Sequence, residues 1–252
     1  MLYLKKKLLT NNKKISIIVP AYNEENSIVS CVAEIEKTME KRSNNYEIVI
    51  VDDGSTDRTH LNVITSFRKD EHVKISSYQP NKGKGYAIMQ GFSLCTGELI
   101  AFIDADMDLH PLHLLLLTEY LELKDADVVI GSKRHPDSVL NYPWIRKLYS
   151  NVYFYLIKII FGLPVRDTQT GVKLFKREVL ENILPNLKTN KFAFDLELLV
   201  LAHDRGYRLA EAPIKLAFSK AYFGRIKPRD IFNIFNDTLK IYFRLRKLKK
   251  LE

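Results

Sequence analysis

Apolar positions in the first half of the chain come in short, β-branched blocks separated by stretches with a helical period. Ile15-Ser16-Ile17-Ile18-Val19 runs into Pro20 and reads as a strand. Glu24 to Lys41 then carries Ile28, Cys31, Val32, Ile35 and Met39 three and four apart, which predicts a helix with one buried face. The alternation continues with a strand over Glu47 to Val51, a helix to about Phe67, a strand over Val73 to Tyr78 and a helix through Phe92. A strand over Leu99 to Ile103, a helix over Leu112 to Leu123 and a strand over Val128 to Ile130 complete it. Strand blocks that are apolar throughout fit strands buried on both faces. Their alternation with helices predicts an α/β fold: a Rossmann-like, mostly parallel sheet with helices on both faces.

The second half reads differently. Two long helices (Pro143 to Phe161 and Ala193 to Arg205) flank a polar loop around Asp167 to Gly171, and a short strand falls near Arg208 to Pro213. Near the end, Ile231, Ile234, Phe235, Tyr242, Leu245 and Leu248 recur at helical spacing among basic residues, predicting C-terminal amphipathic helices. With no internal repeat or low-complexity linker, the expectation is one domain over 1–218 and a basic helical tail over 219–252.

Charge sharpens this picture. The chain has 252 residues and a formal net charge of +9. From Ser219 onward there are ten Lys/Arg against three Asp/Glu, so the basic excess is local. That pattern points to an anionic surface met by the tail rather than to nucleic acid. Two cysteines, Cys31 and Cys95, have no metal-ligand spacing and suit a reducing cytoplasmic setting. The basic start, Met1 to Lys14, lacks the apolar run of a leader, and no window reaches the length of a membrane span.

Chemistry concentrates where the strands end. Pro20-Ala21-Tyr22-Asn23-Glu24, Asp52-Asp53-Gly54-Ser55, Asn81-Lys82-Gly83-Lys84-Gly85 and Asp104-Ala105-Asp106 each follow a strand. In a parallel sheet these ends converge on one edge, where open α/β sheets place ligands. If strand geometry continues through Asp104, Asp106 and Asp108, the three carboxylates share one side and call for a hard dication. A glycine-rich dinucleotide fingerprint after the first strand and a P-loop are both missing from the sequence.

The ordered runs I-I-V-P-A-Y-N-E-E, V-D-D-G-S-T-D-R-T, N-K-G-K-G and F-I-D-A-D resemble family 2 glycosyltransferases of the GT-A fold, over Ile15 to about Pro213. The resemblance implies a nucleotide-sugar site formed by Pro20, Tyr22, Glu24, Val51, Asp53, Lys82, Asp104, Ala105 and Asp106. It also implies Mg²⁺ or Mn²⁺ held at Asp104 and Asp106, with Asp108 as a third acid that either joins the metal shell or caps the next helix. Gly131-Ser132-Lys133-Arg134, Asn141 to Ser150 and Asp167 to Phe175 look like the polyprenyl- and dolichyl-phosphate hexosyltransferases. That likeness implies an acceptor-phosphate site at Lys133, Arg134, Arg146 and Ser150, with Asp106, Asp167 and Arg146 as the catalytic set. Asp167 is left with three readings: acceptor positioning, charge stabilisation or general base. The run D-T-Q-x-G-x-K-L-F resembles the glucosyl branch of these enzymes more than the mannosyl one, which implies UDP-glucose as the favoured donor.

The expected reaction is inverting hexosyl transfer from UDP-glucose or GDP-mannose to a lipid phosphate at the cytoplasmic face of the cell or ER membrane. Contact with the membrane is expected to be peripheral unless a separate membrane subunit anchors the chain. The alternatives are transfer to a hydroxyl of a glycan, with Asp167 as base, and a non-catalytic nucleotide-sugar or nucleic-acid binding module.

Overall fold

The structure is a computed structural model describing residues 13–139, 144–189, 193–215 and 228–248, with side chains described there except at 144–152, 228–235 and 247–248. In chain order the elements are β1 (Ile15–Ala21), α1 (Ile28–Glu40), β2 (Tyr46–Asp52), α2 (Thr59–Phe67), β3 (Val73–Ser77), α3 (Lys84–Leu94), β4 (Leu99–Phe102) and α4 (Leu112–Leu123). They continue with β5 (Val128–Ser132), α5 (Trp144–Phe161), β6 (Lys173–Lys176), α6 (Arg177–Ile183), α7 (Phe194–Asp204), β7 (Leu209–Pro213) and α8 (Pro228–Leu248).

The strands form one seven-stranded sheet in the order β3-β2-β1-β4-β6-β5-β7. Every neighbouring pair is parallel except the two made by β6, which runs antiparallel to β4 and β5. The expected mostly parallel α/β sheet is therefore present, but β6 and α6 were not legible as elements. Lys173-Leu174-Phe175-Lys176 is short and begins and ends in lysine. Neither an apolar run nor clean alternation marks it.

Burial on both faces follows the two-residue period of each strand. Ile18, Val49, Val51, Ile100, Phe102, Val128 and Ile130 pack on one side with α3, α5, α6, α7 and α8. Ile17, Val19, Ile48, Ile50, Ala101 and Val129 pack on the other with α1, α2 and α4. Pro20 sits within β1, which extends past the expected Val19 to Ala21. This is possible because β4 pairs with β1 only as far as Ile18 opposite Phe102, so no ladder bond is missing at the proline.

Helix α8 buries Thr238, Ile241 and Leu245, with Ile241 and Leu245 joining the core beside Ile157 of α5. Its Arg244 pairs with Glu197 of α7, whose fully buried carboxylate also accepts from Thr189 N (2.8 Å) and Lys188 N (3.1 Å). The opposite face leaves Lys240, Phe243 and Arg246 exposed.

Candidate active site

Because β1, β2, β3 and β4 run parallel, the four polar loops that follow them meet at one edge of the sheet, as expected. The way the acids come together differs from strand alternation. β4 stops at Phe102, where both neighbouring ladders run out, and only Ile103 N still reaches Ile18 O, at 3.2 Å. A turn follows, in which Met107 takes a left-handed φ of 61° and Asp106 Oδ1 accepts from Asp108 N at 3.1 Å. The turn, rather than a continued strand, brings Asp104, Asp106 and Asp108 to a cleft of about 70 Å³. Leu109, Lys133, Gln169 and Gly171 complete its walls.

Behind the cleft lies a chain of alternating charges that the sequence did not reveal. Lys84, the first residue of α3, donates to Asp104 Oδ1 at 2.5 Å and stands 3.9 Å from Asp195 Oδ2. Asp195, near the start of α7, accepts from Lys173 Nζ of β6 at 2.6 Å, and Lys173 also donates to Thr170 O at 2.5 Å. Burial disfavours charge on Lys84, Lys173 and Asp195. For Asp195 it is outweighed by Lys173 and Lys84, which hold the carboxyl below the usual range. Lys84 is likewise held above the ordinary lysine range, Asp104 and Asp195 overcoming its burial. Lys173 is left below that range, because burial and the repulsion of Lys84 exceed the pull of Asp195. Spacing could not have flagged this set, since its members lie on α3, the β4 loop, β6 and α7. Lys82, expected at the nucleotide-sugar site, lies over the Tyr86 ring, 4.3 Å from its centroid.

The second-half loop closes on this set from the other side. A Cβ at Gly171 would fall 2.1 Å from Asp104 Oδ2, so only glycine lets the loop approach that carboxylate. Asp167 is buried and accepts from Lys133 N (2.9 Å) and Gln169 N (3.1 Å), tying the loop after β5 to its own turn. Lys133 and Gln169 thereby reach the cleft wall. Arg134 lies over Phe154 of α5, 4.8 Å from the ring centroid. The side chains of Arg146 and Ser150 lie outside the described residues.

Asp53 does something more specific than its position suggested. Its carboxylate gathers Tyr78 OH (2.8 Å), Asn81 Nδ2 (2.9 Å), Lys82 N (2.8 Å) and Gly83 N (2.9 Å), fixing the loop between β3 and α3. Burial and this bond push the Tyr78 hydroxyl above its ordinary range. Gly54, at φ 71°, lies so close that a Cβ would come 2.6 Å from Asn81 N. Val51 and Ala105 are buried beneath the edge, whereas Tyr22 is exposed at its rim. Glu24 accepts from Ser27 Oγ at 2.6 Å, and its backbone N–H donates to Thr59 Oγ1 at 2.7 Å. Cys31 lies under the acids, and burial together with Asp106 and Asp104 pushes its thiol up to about 12, which leaves it no nucleophile.

These side chains suit a hard cation shared with phosphate oxygens. The donors are carboxylates, and the glycine cradle holds one of them in place. Among the described residues no group of three His, Cys, Asp or Glu side chains forms a ready-made metal cluster.

The model of the family described as Glycosyl transferase family 2 matches residues 16–184. The chain is 31% identical over 217 residues to dolichyl-phosphate beta-glucosyltransferase of Drosophila melanogaster, covering 80% of this chain and 66% of the relative. Its identity to the Saccharomyces cerevisiae protein of the same name is 34% over 222 residues, covering 79% and 66%. It is also 29% identical over 203 residues to glycosyltransferase AglD of Haloferax volcanii, covering 80% of this chain but only 32% of that protein. Among solved structures, glucosyl-3-phosphoglycerate synthase from Mycobacterium tuberculosis, in complex with Mn²⁺, UDP and phosphoglyceric acid, shares the fold. The TM-score is 0.71 at 20% identity, covering 95% of this chain and 82% of that one.

Proposed function

The chain belongs to glycosyl transferase family 2, and from that premise we propose that it transfers glucose from UDP-glucose to a polyprenyl or dolichyl phosphate. The observation that carries the acceptor class is the state of the buried carboxylates behind the cleft. A hydroxyl acceptor must lose a proton to a base as it attacks. Asp195 is held ionised by two lysines and makes a poor proton acceptor. Asp167 braces two backbone N–H groups with its two oxygens. A phosphate monoester, with a second pKa near 6, is already largely dianionic at neutral pH and needs no such base.

In this reading Lys133 and Arg134, with Arg146 and Ser150, hold the acceptor phosphate. Asp53 fixes the loop that borders the nucleotide, where Pro20, Tyr22, Glu24 and Val51 also lie. Asp104 and Asp106, with Asp108 beside them, hold a divalent cation together with the donor diphosphate; when bound, that cation offsets charge on the departing nucleotide. The names of the relatives and the UDP and Mn²⁺ of the solved neighbour support glucose, a uridine nucleotide and a cation of this kind.

A lipid-linked acceptor has to be met at a bilayer. Among the described residues no helix is long and apolar enough to cross one. The outer faces of α5 and α8, with Tyr155, Ile159 and Phe243 exposed beside Lys158, Lys240 and Arg246, are the surfaces we assign to peripheral contact.

The test is product analysis with polyprenyl phosphate, Mg²⁺ or Mn²⁺, and either UDP-glucose or GDP-mannose. A mild-acid-labile glucolipid is expected from UDP-glucose alone, lost in Asp106→Ala. Arg134→Ala should raise KM for the lipid far more than KM for the nucleotide sugar. Transfer to a glycan hydroxyl with no lipid product would overturn the acceptor assignment.

A further inference from the structure

We propose that Lys84 is a built-in counter-cation for Asp104, a positioning residue that keeps the cleft from gathering a divalent cation until a nucleoside diphosphate arrives with one. The inference rests on the donor reading above for the identity of the incoming anion. It concerns the order of binding, on which that reading is silent.

The geometry has three parts. First, the Lys84 ammonium is 2.5 Å from Asp104 Oδ1, on a carboxylate that lines the cleft, so an ammonium and a metal ion compete for the same oxygens. Second, Lys84 is placed where it would not sit unaided. It opens α3, and the positive end of a helix disfavours a cation. What retains it is a second acid, Asp195, 3.9 Å away and outside the cleft lining. Asp195 is itself fixed by Lys173, which is 1% exposed and tied to Thr170 O. Third, Gly171 lies close against the other carboxylate oxygen, Asp104 Oδ2, so the carboxylate has neighbours at both oxygens, Lys84 at one and the glycine at the other.

An incoming diphosphate changes the balance. Its oxygens offer Lys84 charge-assisted hydrogen bonds of the kind Asp104 supplied. Asp195 keeps the ammonium tethered as it shifts, and the Asp104 carboxylate is released when the anion and its cation enter together. Asp195 and Lys173 thus act through Lys84 and need not touch the donor.

The experiment follows free Mn²⁺ by electron paramagnetic resonance as the full chain is titrated, with and without UDP. Wild type should bind Mn²⁺ alone at least about tenfold more weakly than in the presence of UDP. Lys84→Met and Lys84→Gln should each bind Mn²⁺ alone about tenfold more tightly than wild type, shrinking the dependence on UDP. Circular dichroism establishes that each variant is folded. If folded variants bind Mn²⁺ alone no more tightly than wild type, the proposal is wrong. It also fails if wild type binds Mn²⁺ equally well with and without UDP, a comparison that requires no variant. The Mn²⁺-alone arm uses neither donor nor acceptor, so it reads the Lys84 contact even if the product assay rejects the proposed reaction.

Discussion

Asp53 illustrates how much a single buried carboxylate can organise. Four donors from the loop between β3 and α3 converge on it, two of them backbone N–H groups of Lys82 and Gly83. Asp53→Asn keeps the size but replaces one acceptor oxygen with an NH₂ that faces those donors. Loss of a charged acceptor with buried donors left behind should destabilise the fold by about 2 kcal/mol, measured by urea unfolding at neutral pH. Nucleotide affinity should fall as well, since the loop no longer has a fixed position. A residue that only contacted the base would lose affinity with no change in unfolding midpoint. The same scale shows what a sequence conceals. Lys82 and Lys84 are equivalent in the run N-K-G-K-G until the chain folds. The helix starting at Lys84 then sends one lysine inward to Asp104 and leaves the other over Tyr86.

At the scale of elements, the first half of the fold was readable because each strand and helix has an apolar pattern of its own. The loops of the site were readable for a related reason: parallel strands bring successive loops to one edge wherever the helices lie. Strand β6 was not readable, because what lets Lys173 be buried is an ion pair with Asp195 from a helix many residues later. The acidic turn was misjudged because the end of β4 is set by where its partners stop pairing, which no local pattern encodes. The amphipathic period of α8 was evident, but a period does not say what its apolar face meets. Here that face is Thr238, Ile241 and Leu245 against the domain core. Ile241→Ala should therefore destabilise the whole domain by about 2–5 kcal/mol in denaturant unfolding. Arg244→Met should destabilise it by about 3–5 kcal/mol, because it removes the cation partner of the buried Glu197 carboxylate. If α8 were only a tethered appendage, both variants would unfold at the wild-type midpoint.

For the whole molecule, the docking of α8 limits which surface is open to the proposed membrane contact. Its buried face is committed, and its free face carries Phe243, 64% exposed, with Lys240 and Arg246 on the same side. The neighbouring α5, which meets α8 through Phe161 and Tyr242, presents Tyr155 and Ile159 one helical turn apart, with Ile159 82% exposed, beside Lys158. Partial burial of three such side chains, with about 1 kcal/mol for each cation at an anionic surface, amounts to roughly 5 kcal/mol. That magnitude gives reversible attachment, not permanent insertion. Co-sedimentation with vesicles should then require anionic lipid and weaken as salt rises from about 0.05 to 0.5 M, while vesicles of neutral lipid leave the protein in the supernatant. Ile159→Glu with Phe243→Glu should abolish sedimentation without lowering the unfolding midpoint, because neither side chain belongs to the core. The same pair should slow transfer to a long polyprenyl phosphate in vesicles and leave transfer to a short, water-soluble analogue unchanged. Equal loss with both acceptors would mean that these faces serve the active site itself, and undiminished sedimentation would move the membrane contact elsewhere on the chain.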